Sequence, residues 1–115
     1  MSSDQMSDDE KQEIYRDFRD WVNMAPAELE EWLGTDESKS VGRSTGSGES
    51  VGHKSGRRIV EIKRTRKADL TDDDYAHMKK VVGYISRHSA QRPDGDLEDS
   101  AWRYSLMNWG YDPLK

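Results

Sequence analysis

The sequence predicts an all-α fold: a small bundle of about five helices that also carries a long Gly/Ser-rich loop. Three observations predict it. Ser7-Asp8-Asp9-Glu10 and Thr71-Asp72-Asp73-Asp74 have the spacing of helix capping boxes. Apolar residues then recur at helical intervals, with Ile14, Phe18, Trp21 and Val22 after the first cap and Tyr75, Met78, Val82 and Ile85 after the second. The segment with most β-branched character, R-I-V-E-I-K, has no convincing partner strand nearby.

Taken in order, residues 1–6 read as a disordered start, and 7–115 as one helical domain. Ser7 caps a first helix that runs to about Asn23. Pro26 fits the first turn of a second helix, Ala25 to Leu33, with Leu29, Trp32 and Leu33 inward and Gly34 as its stop. Residues 35–56 read as a mobile loop, long for a small domain. Arg57–Lys67 is expected to be helical from an N-cap at Ser55, although a strand is the competing reading. Its cations fall on nearly every side, which argues against deep burial. The helix after Thr71 should end near Gln91, before Pro93, and Pro93-Asp94-Gly95 makes a turn. Its polar face collects His77, Lys80, Tyr84, Arg87 and His88. Asp96 or Asp99 caps a last helix to about Trp109, stopped by Gly110. That helix is apolar on two sides, so it is either central to the fold or half of an oligomer interface.

Composition bounds the function. The chain has 115 residues, 32% hydrophobic and 36% charged, so any core is small. Four Trp and five Tyr offset this with large apolar rings. Without Cys there are no disulfides, thiolate catalysis or Cys-based zinc sites, and a reducing compartment fits. No apolar run approaches a membrane span, and the acidic start lacks a signal-peptide pattern. The expectation is a soluble, cytoplasmic protein without membrane contact.

Charge is distributed unevenly. Net charge is -5, yet residues 54–67 hold seven Lys/Arg and one acid. The first forty residues carry twelve acids against four bases, whereas 41–92 carry twelve bases against six acids. Such asymmetry points to a contact surface for a polyanion. The candidate contacts are Lys54, Arg57, Arg58, Lys63, Arg64, Arg66 and Lys67, extended by Lys80 and Arg87.

Motifs for other chemistry are incomplete. G-E-S-V-G at 48–52 matches G-x-S-x-G, but no strand precedes it. G-E-S-V-G-H-K-S at 48–55 approaches a phosphate loop, but His53 replaces the second required glycine. A reduced form of that idea leaves Lys54, Ser55 and nearby helix-start amides to hold one anion. His77 and His88 lie about 16 Å apart along a helix and cannot share a metal. The Trp residues read as core rather than as base-stacking platforms, and Tyr84, between Lys80 and Arg87, is the better stacking candidate. No catalytic residues, cofactor or metal ligands are assigned.

The stretches W-L-G-T-D-E-S-K-S-V-G, G-E-S-V-G-H-K-S-G-R-R-I-V-E-I, K-A-D-L-T-D-D-D-Y-A-H-M-K-K-V-V-G-Y-I-S-R-H and W-R-Y-S-L-M-N-W-G-Y-D-P-L-K span most of 21–115. In them the chain resembles an uncharacterised family of short microbial proteins, a domain of unknown function. Some members are labelled DNA-binding by automatic transfer. The resemblance implies DNA binding and places no catalytic residue. Lys63 and Ser89 stand where similar sequences would carry Leu, which makes their helices more polar.

The expectation is therefore a non-enzymatic nucleic-acid-binding protein that contacts backbone phosphates through the basic segment, with DNA the favoured partner. If about six phosphates were engaged, the log–log salt slope would be about -5. The rival expectation is a protein-interaction module, or a helical homo-oligomer, that uses the aromatic-rich last helix.

Overall fold

The computed structural model describes residues 6–41 and 50–115, and among them it contains six α-helices and no strand. They are α1 (Asp8–Trp21), α2 (Pro26–Leu33), α3 (Asp36–Ser40), α4 (Val51–Lys63), α5 (Asp72–Ser89) and α6 (Ala101–Asn108). Residues 1–5, expected to be disordered, lie outside the described residues, as does 42–49 of the expected loop.

Local chemistry sets the helix starts. The hydroxyls of Ser7, Thr35, Ser50, Thr71 and Ser100 each accept a bond from the amide three residues on, at 3.1–3.2 Å. Such caps satisfy amides that have no partner inside the helix. At α5 the box is reciprocal, because Asp74 Oδ2 accepts from the Thr71 amide at 3.0 Å. Before α2, Pro26 supplies the preset φ and Glu28 Oε1 accepts from the Ala25 amide at 3.1 Å.

The core follows the helix faces. α1 lies along α5, α2 lies along α4, and α6 touches α2, α3, α4 and α5. The α1–α5 pair brings Ile14 and Phe18 together with Tyr75, Met78, Val81 and Ile85 into one core, the α2–α4 pair adds Leu29, Leu33, Ile59, Val60 and Ile62, and Val22 lies with Ile59 and Leu29 around Gly110. Leu106 and Trp109 close the core from α6 and its C-terminus. Trp102, Tyr104 and Met107 of α6 are half-buried. Gly110 has φ +84, the left-handed stop expected after α6, and a Cβ there would meet Val22 at 2.9 Å.

Several expectations are corrected. α4 begins at Val51 from a Ser50 cap, not at Arg57 from Ser55, and ends at Lys63. It is deeply packed: Ser55, Gly56, Ile59, Val60 and Ile62 are buried. Cβ atoms on Gly52 and Gly56 would meet Trp109 Nε1 at 3.0 Å and the Asn108 carbonyl at 2.5 Å. These glycines, expected to lie in the Gly/Ser-rich loop, let α4 approach the end of α6. Within the expected loop, 36–40 is helical, and Gly34 ends α2 with φ -82 rather than in a left-handed stop. α6 starts after Ser100, not Asp96 or Asp99.

One polar node ties α2, α3 and α6 together. Asn108 is 1% exposed; its Oδ1 accepts from Trp32 Nε1 at 2.8 Å and from Ser38 Oγ. Its Nδ2 donates to the Ser38 carbonyl at 3.0 Å. The C-terminal strap is held by paired bonds between Asn23 and Asp112, at 2.8 and 3.0 Å. Arg103 grips the same Asp112 in a bidentate pair at 3.1 and 3.0 Å.

Candidate nucleic-acid interface

α4 sorts its residues by helical angle. Ile59, Gly52, Ser55, Gly56 and Ile62 point inward, so Lys54, Arg57, Glu61 and Arg64 share the outer side, with Arg58 on its flank. Four of the expected cations therefore stand on one solvent face of one helix turn series, interrupted by one acid. Lys54, Arg57 and Arg64 are exposed, and Arg58 is half-buried.

Lys80 is exposed on α5, one turn after His77, and His77 is the residue through which α5 touches α4 here. Its Nε2 lies 3.0 Å from Ser55 Oγ. Burial first, then the charges of Arg58 and Lys80, lower the His77 pKa to about 4, so the imidazole is neutral at pH 7.

Arg58 and Arg64 are paired across helices. Arg58 Nη2 donates to Asp74 Oδ1 of α5 at 3.2 Å, and Arg64 Nη1 donates to Glu30 Oε2 of α2 at 2.9 Å. Both guanidinium side chains keep solvent contact, at 42% and 49% exposure. Between α2 and α4 runs an open groove of about 410 Å³, with Leu33 and Val60 inside it and Glu30, Glu61, Arg57 and Arg64 along its rims. His53 Nε2–H donates to the Leu33 carbonyl at 2.7 Å in the same groove.

The remaining expected residues leave the face. Lys63 turns inward: its ammonium donates to the Met24 carbonyl at 3.0 Å and approaches that of Val22 at 3.5 Å. Burial, then the Arg19 and Lys115 charges, lower its pKa. Arg66 pairs with Asp69 at 3.1 Å beyond the end of α4. Lys67 sits over the Tyr15 ring, 4.8 Å from its centroid. Arg87 is exposed but lines a groove of about 460 Å³ between α1 and α5, beside Glu10, Glu13 and Asp17.

Residues 17–107 match the family described as Protein of unknown function (DUF3140). The chain belongs to this family. The DUF3140 span covers α2 to α5 and all nine cations expected at the interface. No curated protein and no solved structure matches the chain.

Within the DUF3140 span, the other chemical motifs resolve into structure. Ser50 of the G-x-S-x-G stretch is a helix cap, and Gly48 lies outside the described residues. Ser55 is buried inside α4 against His77, so the reduced anion site of Lys54, Ser55 and helix-start amides does not form. Tyr84 is no stacking platform: its ring lies 4.2 Å from Trp109 and 5.1 Å from His88. Among the described residues no cluster of His, Asp and Glu could hold a metal, and no helix is long and apolar enough to cross a membrane. Glu30 and Asp74 escaped the sequence reading as site residues. The pairing of 30 with 64 depends on α2 lying along α4, and nothing local encodes it.

Proposed function

We propose that this protein is a non-enzymatic nucleic-acid binder of the cytoplasm that holds the phosphate backbone of duplex DNA on the outer face of α4. One observation carries the reading: Lys54, Arg57 and Arg64 are exposed on one helix face, to which the reading adds the exposed Lys80 of α5. Closely spaced cations on a rigid helix match a polymer of regularly spaced phosphates, and binding is driven by counterion release. Phosphate contacts of this kind position a duplex without reading its sequence. The rival reading needs apolar surface on α6 left over for a second chain. Leu106 and Trp109 are buried, whereas Trp102, Tyr104 and Met107 are half-buried, so the surface that α6 leaves for a second chain is limited to the partly exposed sides of these three.

The face is smaller than the whole basic segment, since Lys63, Arg66, Lys67 and Arg87 lie elsewhere or are otherwise engaged. About four phosphates give a log–log salt slope of about -4, shallower than the segment read as a whole would give. Fluorescence anisotropy with a short labelled duplex, titrated across salt, tests this. Two unrelated sequences should bind equally. Binding that ignores salt, or no binding at low salt, would overturn the reading.

A further inference from the structure

The two ion pairs on the α4 face differ in how each carboxylate is held. Glu30 lies on the exposed side of α2 with 64% of its side chain in solvent. Among the described residues Arg64 is its one hydrogen-bond partner, at 2.9 Å. Its chain can rotate into water without breaking any other bond. Asp74 is only 22% exposed, and both of its oxygens are engaged. Oδ1 takes Arg58 at 3.2 Å, and Oδ2 takes the Thr71 amide at 3.0 Å. Its own amide donates back to Thr71 Oγ1 at 3.1 Å, which closes the cap of α5. That position also places its charge at the positive end of the helix dipole. The Thr71 backbone bond is the largest of the effects that hold its carboxyl below the usual range.

We propose that Arg64–Glu30 is an exchangeable pair, which opens so that a backbone phosphate takes the place of the Glu30 carboxylate, whereas Arg58–Asp74 is a fixed pair that stays closed. This rests on the reading of α4 as the phosphate-binding face. A phosphate oxygen has the same charge and acceptor geometry toward a guanidinium as a carboxylate oxygen has. At Arg64 the exchange swaps one anion for another and releases Glu30 to water. At Arg58 an incoming phosphate would stand beside an Asp74 that cannot leave, and like charges would meet. Glu30 is thus an internal competitor that tempers affinity. Arg58 contributes to the α4–α5 contact rather than to the ligand.

Three single variants, titrated with the same labelled duplex over salt and melted in parallel, test the proposal. Exposed pairs hold by at most a factor of about five, so Glu30→Gln should tighten binding roughly two- to fivefold and lower Tm by no more than about 5 °C. Arg64→Gln should weaken binding and lower the magnitude of the salt slope by about 1. Arg58→Gln should leave the slope unchanged and alter affinity less than about twofold, because its charge is already cancelled. Equal losses in slope for Arg58→Gln and Arg64→Gln would overturn the distinction, as would Glu30→Gln binding no tighter than the native chain. If the native chain does not bind DNA at all, the reading of α4 fails first and this proposal fails with it.

Discussion

On its inner side α4 carries Gly52, Ser55, Gly56 and Ile59; on its outer side it carries Lys54, Arg57, Glu61 and Arg64. The inner residues are small because the end of α6 comes close, with the Asn108 carbonyl 2.5 Å from where a Gly56 Cβ would stand. The outer residues are long, charged and exposed. One side answers to sterics, where tenths of an ångström matter. The other answers to charge, where single contacts between exposed groups are worth little and only their sum counts. Substitutions on the two sides should therefore separate stability from binding.

The largest effects belong to the inner side and its anchor. Asn108→Ala leaves the Trp32 indole N–H, the Ser38 hydroxyl and the Ser38 carbonyl without their buried partner. It should cost about 3 kcal/mol, read as a Tm drop of roughly 10 °C or more. Gly56→Ala comes next. The gain in helix propensity, about 1 kcal/mol, is outweighed by contact with a backbone carbonyl that cannot rotate away, for a net loss of about 2 kcal/mol by chemical denaturation. Gly52→Ala should cost less, since its nearest neighbour is the Trp109 side chain at 3.0 Å.

Smaller still is a pH effect at the seam between the two sides. His77 titrates near 4 in the fold and near 6.5 when unfolded. The unfolded chain therefore takes up a proton first as pH falls. Stability is whole above about 6.5 and declines toward 4, by about 1–2 kcal/mol once solvent screening is allowed for. His88, lowered by burial, adds in the same direction. The lowered carboxyls of Asp74 and Asp112 give up their contributions only as pH falls further. His77→Gln should flatten the profile between pH 6.5 and 4 when melting is followed across pH. An unchanged profile would detach His77 from it.

The smallest stability effects belong to the outer side. Lys54→Gln and Arg57→Gln should each change stability by less than about 0.5 kcal/mol while weakening DNA binding.

The same division explains what the sequence discloses. Thr71 with Asp74, Ser7 with Glu10, and Pro26 act within one turn, so their helix starts are legible from neighbours alone. Gly110 also reads correctly, because a left-handed stop is a local backbone demand. The start of α4 is not legible in this way. G-H-K-S-G weighs against a helix by propensity, and the reason for its glycines lies at Asn108 and Trp109, more than fifty residues away. Likewise His77, Tyr84 and His88 look like a solvent face of α5 until Trp109 stacks on the first two and the Trp102 indole donates to the His88 carbonyl at 2.8 Å. The cations are legible as a group. Their sorting into an outer face, an inward Lys63 and cross-helix pairs with Glu30 and Asp74 depends on helix packing.

The most direct test combines both readouts on one chain. The variant with Lys54, Arg57, Arg64 and Lys80 all changed to Gln should melt close to the native temperature, yet its salt slope on duplex DNA should fall from about -4 to near zero. A slope that survives all four changes would show that the outer face of α4 is not where phosphate is held.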